Sequence, residues 1–147
     1  MLGHRDLMAG PVYIQRIIIT RNITMTLSLA LRISAAYIGV WILLLVLAPA
    51  MVASDLFNVE LNASLQAQMQ TTALAGFGVA SLHWMIPSWA PDNMAKFGRL
   101  AAAVWAAFAL LNAYFILAGI LVNSAQNIST PVIMAVIAIL LFVKSKD

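Results

Sequence analysis

His83 is the residue with the widest chemical reach in this sequence. A neutral imidazole can ligate a metal, relay a proton or tie down a neighbouring helix through hydrogen bonds. Gly76 lies seven residues before it and Ala80 three before it, so the three share one face of a helix. Thr72, Gly76 and Ala80 form a small-residue stripe of the kind that lets helices approach closely. His83 is therefore expected to face another helix and not lipid. Two roles are open to it there. It could be the axial ligand of a haem or a chlorophyll-type pigment, or an interhelical histidine held by hydrogen bonds. The second is the preferred reading, because a bis-histidine haem needs another intramembrane histidine. The only other one, His4, precedes every apolar segment.

The remaining inventory is sparse. Glu60 is the single glutamate, and cysteine is absent, which removes disulfides, thiolate metal sites and thiol chemistry within the chain. No paired carboxylate, H-E-x-x-H, G-x-S-x-G or phosphate-cradling glycine loop occurs. No catalytic residue and no metal-ligand set is assigned, and the balance leans away from an enzyme. Asn112 is the second polar group expected inside the chain. It shares a helix face with Trp105 and Gly119 and suits interhelical hydrogen bonding.

The elements that would position these groups follow from hydropathy. Of 147 residues, 63% are hydrophobic and 9% charged, against about 25% charged in a soluble domain. A small soluble domain leaves much of its surface in water and has nowhere to hide that much apolar area. Lipid is the solvent that fits. Four apolar segments lack Asp, Glu, Lys and Arg: about residues 33–53, 70–89, 100–122 and 129–143. A helix needs about 20 residues to cross the hydrocarbon core. The first three qualify. The fourth is short and would need local bilayer thinning, with Lys144 and Lys146 snorkelling at its end.

Charge tests this four-span reading independently. Arg5, Arg16, Arg21 and Arg32 precede the first segment, Lys96 and Arg99 separate the second from the third, and Lys144 and Lys146 follow the fourth. The two other connections contain no basic residue. All eight cations thus fall on one side, which the positive-inside rule makes cytoplasmic. The fold expected is an all-α integral membrane bundle of four transmembrane helices with both termini in the cytoplasm. The net charge of +3 and a pI near 9.7 read as topology signals, not as a nucleic-acid face.

Punctuation agrees with the segments. Pro87 and Pro91 bracket the second turn, the one on the cytoplasmic side. Ser129, Thr130 and Pro131 offer a cap and a first-turn proline for the last helix. Trp84, Trp89 and Trp105 are placed as interfacial aromatics. Phe57, Leu61, Leu65 and Met69 recur every four residues, which fits an interfacial helical turn leading into the second span or an irregular loop with a few anchors. Residues 1–24 form a separate segment from the membrane domain of 25–147. They admit three readings: a short basic interfacial helix, a disordered tail, or residues upstream of a true start at Met25. Ala48-Pro49-Ala50 fits a signal-peptidase pattern, but the apolar run is long for a signal peptide and continues through Val52 and Ala53.

Counting inward from the cytoplasmic boundary places His83, Tyr37 and Trp105 at a common depth of about 7 Å. The Tyr37 hydroxyl or a backbone carbonyl is thus the expected partner of His83. The helix-packing positions expected overall are Tyr37, Thr72, Gly76, Ala80, Asn112 and Gly119.

Arg32 before the first span, the Leu47-Ala48-Pro49-Ala50 exit, Leu56-Phe57-Asn58, Gly76 and Arg99 give a layout that resembles small bacterial four-span families of unassigned function, of the DoxX-like type. The resemblance covers about residues 27–143. It implies a four-helix protein of the bacterial inner membrane and carries over no functional residue. DoxX-type relatives are linked with quinone or thiosulfate oxidation, whereas this chain has no cysteine and no redox motif.

Three function classes remain. The leading one is a non-catalytic accessory or scaffold subunit, or a bundle that binds lipid-like molecules, with the bilayer and other membrane subunits or its own copies as partners. The alternatives are a cofactor-bearing subunit of a redox or photosynthetic complex using His83, and a small transporter or channel. The last has little support, since His83 is the only ionisable group within the spans.

Overall fold

The computed structural model describes residues 26–146. The readings of residues 1–24 and of a start at Met25 lie outside the described residues. Within them the chain is all-helical: α1 Leu27–Leu47, α2 Pro49–Phe57, α3 Ala63–Trp89, a 3-10 turn Pro91–Asn93, α4 Met94–Leu117 and α5 Ala125–Lys144. Among the described residues no strand forms.

Local chemistry sets these boundaries. Thr26 caps α1 by accepting from Leu29 N at 3.2 Å, so the helix starts six residues before the expected Ile33. It ends at Ala48, and Pro49 opens α2 as a first-turn proline, which breaks the expected run to Ala53 in two. Asn62 caps α3 through Leu65 N at 2.9 Å. The helix then runs through Pro87 to Trp89, so the expected stop falls at Pro91 alone. The chain leaves α4 through a left-handed Gly119, with Gly119 N donating to Ile116 O and Ile120 N to Phe115 O. This pair of bonds ties off the last carbonyls of the helix, and its positive φ suits glycine.

The last helix departs most from expectation. Its cap is Ser124, which accepts from Asn127 N at 3.2 Å, and not the Ser129-Thr130-Pro131 run. The helix gains a turn and reaches 20 residues, so it needs no thinned bilayer. Asn127 is the reason. It is buried, and its side-chain amide donates to Leu56 O at 3.2 Å and Val122 O at 2.7 Å, which ties this turn to α2. Substituting Asn127→Ala should lower stability by about 1–2 kcal/mol. Both carbonyls keep a second donor, Val122 N on Leu56 O and Ser124 N on Val122 O, so neither is stranded. Unfolding in detergent by denaturant titration would read this, and an unchanged midpoint would contradict it.

Among the described residues three stretches are long and apolar enough to cross a membrane: Leu27–Leu47, Pro91–Leu117 and Ala125–Lys144. Helix α3 has 27 residues, about 40 Å at 1.5 Å each, but its early turns carry Gln66, Gln68, Gln70, Thr71 and Thr72. Length suffices there, and apolarity falls short of the other three. Large apolar side chains such as Leu74, Leu110 and Leu117 point outward, which suits contact with a lipid bilayer.

Helix α1 packs along α3, and α4 along α5. The two pairs join through a core of Leu27, Ala30 and Leu31 from α1, Ala101, Ala102 and Trp105 from α4, and Ile137, Ala138 and Leu141 from α5. A smaller core gathers Val52, Ala53, Leu56 and Met69, with Leu61 and Leu65 packed against it. Three of the four residues expected as interfacial anchors thus converge there, while Phe57 stays exposed.

Candidate functional site

Among the described residues, buried polar side chains of three helices meet at Ser34. Ser34 sits two turns into α1 and is fully buried. Its hydroxyl lies 2.7 Å from His83 Nδ1 of α3 and 2.7 Å from Trp105 Nε1 of α4. One serine therefore links three helices. Indole N–H can only donate, so Ser34 Oγ accepts from Trp105. The Ser34 hydroxyl then either donates to His83 Nδ1, with the imidazole hydrogen on Nε2, or accepts a second bond from Nδ1–H; the tautomer decides which.

Aromatic rings wall this layer. The edge of Phe97 meets His83 with centroids 5.4 Å apart at 88°. Tyr37 packs on Trp105 with centroids 5.6 Å apart at 58°. Both contacts are geometries that aromatic quadrupoles favour. His83 is 5% exposed and Trp105 6%. Trp105 is therefore a core residue, while Trp84 and Trp89, the other two tryptophans expected near the cytoplasmic boundary, are exposed. His83 faces the bundle interior, but its partner is Ser34 and not Tyr37, whose ring packs on Trp105 instead.

The other predicted positions separate. Gly76 lies against α1, where an added Cβ would sit 3.4 Å from Ile42 and 3.6 Å from Ile38. Ala80 lines a groove beside α1. Thr72 is exposed, its hydroxyl donating to Gln68 O at 2.9 Å, and the buried position at that level is Ala73. Asn112 is half-buried and donates to Phe108 O at 2.9 Å and toward Met134 Sδ of α5 at 3.7 Å. Gly119 is exposed in the turn after α4 and packs no helix.

Ser34 was not among the expected residues. Its signal was available: it stands one turn before Tyr37 on the same helix face, and a buried indole N–H requires an acceptor.

What can this layer do chemically? The serine hydroxyl and the indole N–H here find partners in this layer, and the Nδ1 atom of His83 is committed. A tetrapyrrole would have to reach Nε2, which has no hydrogen-bond partner among the described residues. A macrocycle needs a flat open space at that edge, and the ring is nearly enclosed with Phe97 against it. Among the described residues no three His, Cys, Asp or Glu side chains group to hold a metal ion. A cleft of about 190 Å³ opens at the opposite end of the bundle, between Trp41, Leu56, Asn112, Leu121, Asn127 and Met134.

The end holding the polar layer is also the basic end. Gly98 of α4 approaches both Leu27 at the start of α1 and Ser145 just past α5. Arg32, Lys96, Arg99, Lys144 and Lys146 all belong to turns at or near this junction. Comparison with protein-family models, curated proteins and solved structures finds no match to this chain.

Proposed function

We propose that this chain is a four-span bundle of the bacterial inner membrane, with both ends cytoplasmic, that serves as a non-catalytic accessory or scaffold subunit. The observation that carries the reading is the Ser34–His83–Trp105 layer. This buried convergence of polar groups bonds helices to each other, and its serine–histidine pair lines neither the groove beside α1 nor the cleft at the opposite end. Co-purification in mild detergent followed by mass spectrometry tests it. A companion membrane subunit is the expected result, and a strictly monomeric particle with no companion would overturn the accessory role.

The four-span topology draws support from α3, which is long enough to cross and packs along α1 throughout the membrane-length region. The described cations cluster at one end, and the connections at the other end carry none. Reporter fusions after Asn58 and Asn123 should read outside, and fusions after Asp92 and at the C-terminus inside. A cytoplasmic reading after Asn123 would refute this arrangement.

A second reading, a cofactor-bearing subunit of a redox or photosynthetic complex, would have to use Nε2 of His83, the ring nitrogen with no hydrogen-bond partner among the described residues, and the burial of the ring weighs against it. An absorption spectrum of the complex purified from its native membrane separates the two. A haem or pigment band lost in His83→Phe would promote the second reading.

A further inference from the structure

A groove of about 570 Å³ runs between α1 and α3 on the outer face of that pair. Ala36, Gly39 and Leu43 form one wall and Phe77, Ala80 and Trp84 the other. The volume falls within the roughly 300–1,000 Å³ of ligand sites. Its lining spans Ala35 to Leu43 on α1 and Phe77 to Met85 on α3. Each stretch rises about 12 Å, close to one leaflet of a hydrocarbon core about 30 Å thick.

The end of the groove toward the basic junction carries a cation. The Arg32 guanidinium stands 5.4 Å from the centroid of the Trp84 ring. Among the described residues the Arg32 side chain makes no hydrogen bond, so its N–H groups are available for bidentate bonding to a phosphate. Arg32 is exposed, and among the described residues it has no carboxylate partner. An apolar channel one leaflet deep, headed by an unneutralised arginine, complements a single chemical class.

We propose that the α1–α3 groove binds an anionic phospholipid, with one acyl chain between the helices and the phosphate on Arg32. Basic pockets between membrane helices on the cytoplasmic side recognise anionic headgroups in this way. The depth of the groove argues for a lipid over a second copy of the chain. A docking helix would need a complementary surface across both leaflets, and this groove ends at Leu43. The assignment rests on the reading that α1 and α3 both cross the bilayer.

Native mass spectrometry of the full-length protein in mild detergent tests it, with dipalmitoyl phosphatidylglycerol against dipalmitoyl phosphatidylcholine. One-to-one adducts should favour phosphatidylglycerol about fivefold, the effect of one basic residue on an anionic lipid. Arg32→Gln should abolish the preference while total lipid retention persists. A Cβ at Gly39 meets nothing within 4 Å, so Gly39→Leu should fold, fill the groove and reduce adducts of both lipids. Gly78 is equally open but does not line the groove, so Gly78→Leu should change nothing. Equal retention of the two lipids by the unaltered protein, or a preference that survives Arg32→Gln, would overturn the proposal. So would a dimer that Gly39→Leu dissociates, since the occupant would then be a second copy. The measurement uses no assumption about orientation. A failed topology assay with an intact lipid preference, and the reverse, are therefore distinct results.

Discussion

Trp105→Ala should lower the stability of the bundle by about 3 kcal/mol, the lower end of the aromatic-to-alanine range. The lower end applies because the unfolded reference for a membrane helix is itself in lipid, so the transfer of apolar area contributes little and lost packing dominates. The packing lost is large. The indole sits in the core shared by α1, α4 and α5 and carries Tyr37 on its face. Its N–H is also the donor to Ser34. Interhelical hydrogen bonds in membranes average about 0.6 kcal/mol and reach about 1.7, so most of the loss is the cavity. Trp105→Phe separates the two contributions. It keeps a ring and removes the donor, and should cost about 1 kcal/mol, most of it the hydrogen bond. The network adds a further signature. If Ser34 couples the indole to His83, the costs of Trp105→Phe and Ser34→Ala will not add, because either change releases the same bond. Denaturant titration in detergent with the two single variants and the double variant would measure this. Strict additivity would show that the 2.7 Å contacts carry no shared energy.

Much of this arrangement was legible in the residues, and the departures have physical causes. The inward face of His83 followed from Gly76 and Ala80 at helical spacing, because small residues mark where another backbone comes close. Its partner does not follow, because hydropathy alone starts the first span at Ile33. With Thr26 as the cap, Ser34 lies two turns inside the helix and points into the core. Thr72 illustrates the limit of a four-residue stripe. Helical periodicity is 3.6, so a strict step of four drifts off the buried face, and Ala73 takes the place expected for Thr72. The mostly polar run Asn123 to Ile128 reads as the connection before the last span because lipid excludes it. Burial of Asn127 against two backbone carbonyls turns that run into the first turns of α5. Gly119 likewise read as a small residue for packing, whereas its place just past α4 is the left-handed exit that glycine supplies.

Gly98→Leu should be more damaging than Trp105→Ala, costing more than the roughly 1–3 kcal/mol usual for overpacking. Gly98 is buried in the first turns of α4 where three chain segments meet. Even a Cβ there would collide with Ser145 Oγ and come within 2.9 Å of Leu27 Cδ1. Both neighbours are buried side chains, so a shift of either disturbs what packs on it. Ser145 is buried and its hydroxyl is bonded to Leu141 O, and Leu141 is fully buried. Leu27 is buried in the first turn of α1. Gly98→Ala must therefore shift a backbone or release the serine, at about 1–3 kcal/mol. Leucine adds three more carbons in the same space and forces the start of α1 away from α4. That displacement would reach Ser34, two turns along α1, and loosen its bonds to His83 and Trp105. The near-ultraviolet circular dichroism of Trp105 and Tyr37 should then weaken while helical content persists. Gly98→Ala combined with Ser145→Ala should recover part of the loss, because it removes the colliding hydroxyl. Gly78→Leu serves as the reference, since a Cβ there meets nothing within 4 Å. A Gly98→Leu variant as stable as Gly78→Leu would mean that α1, α4 and the end of α5 do not meet at this point.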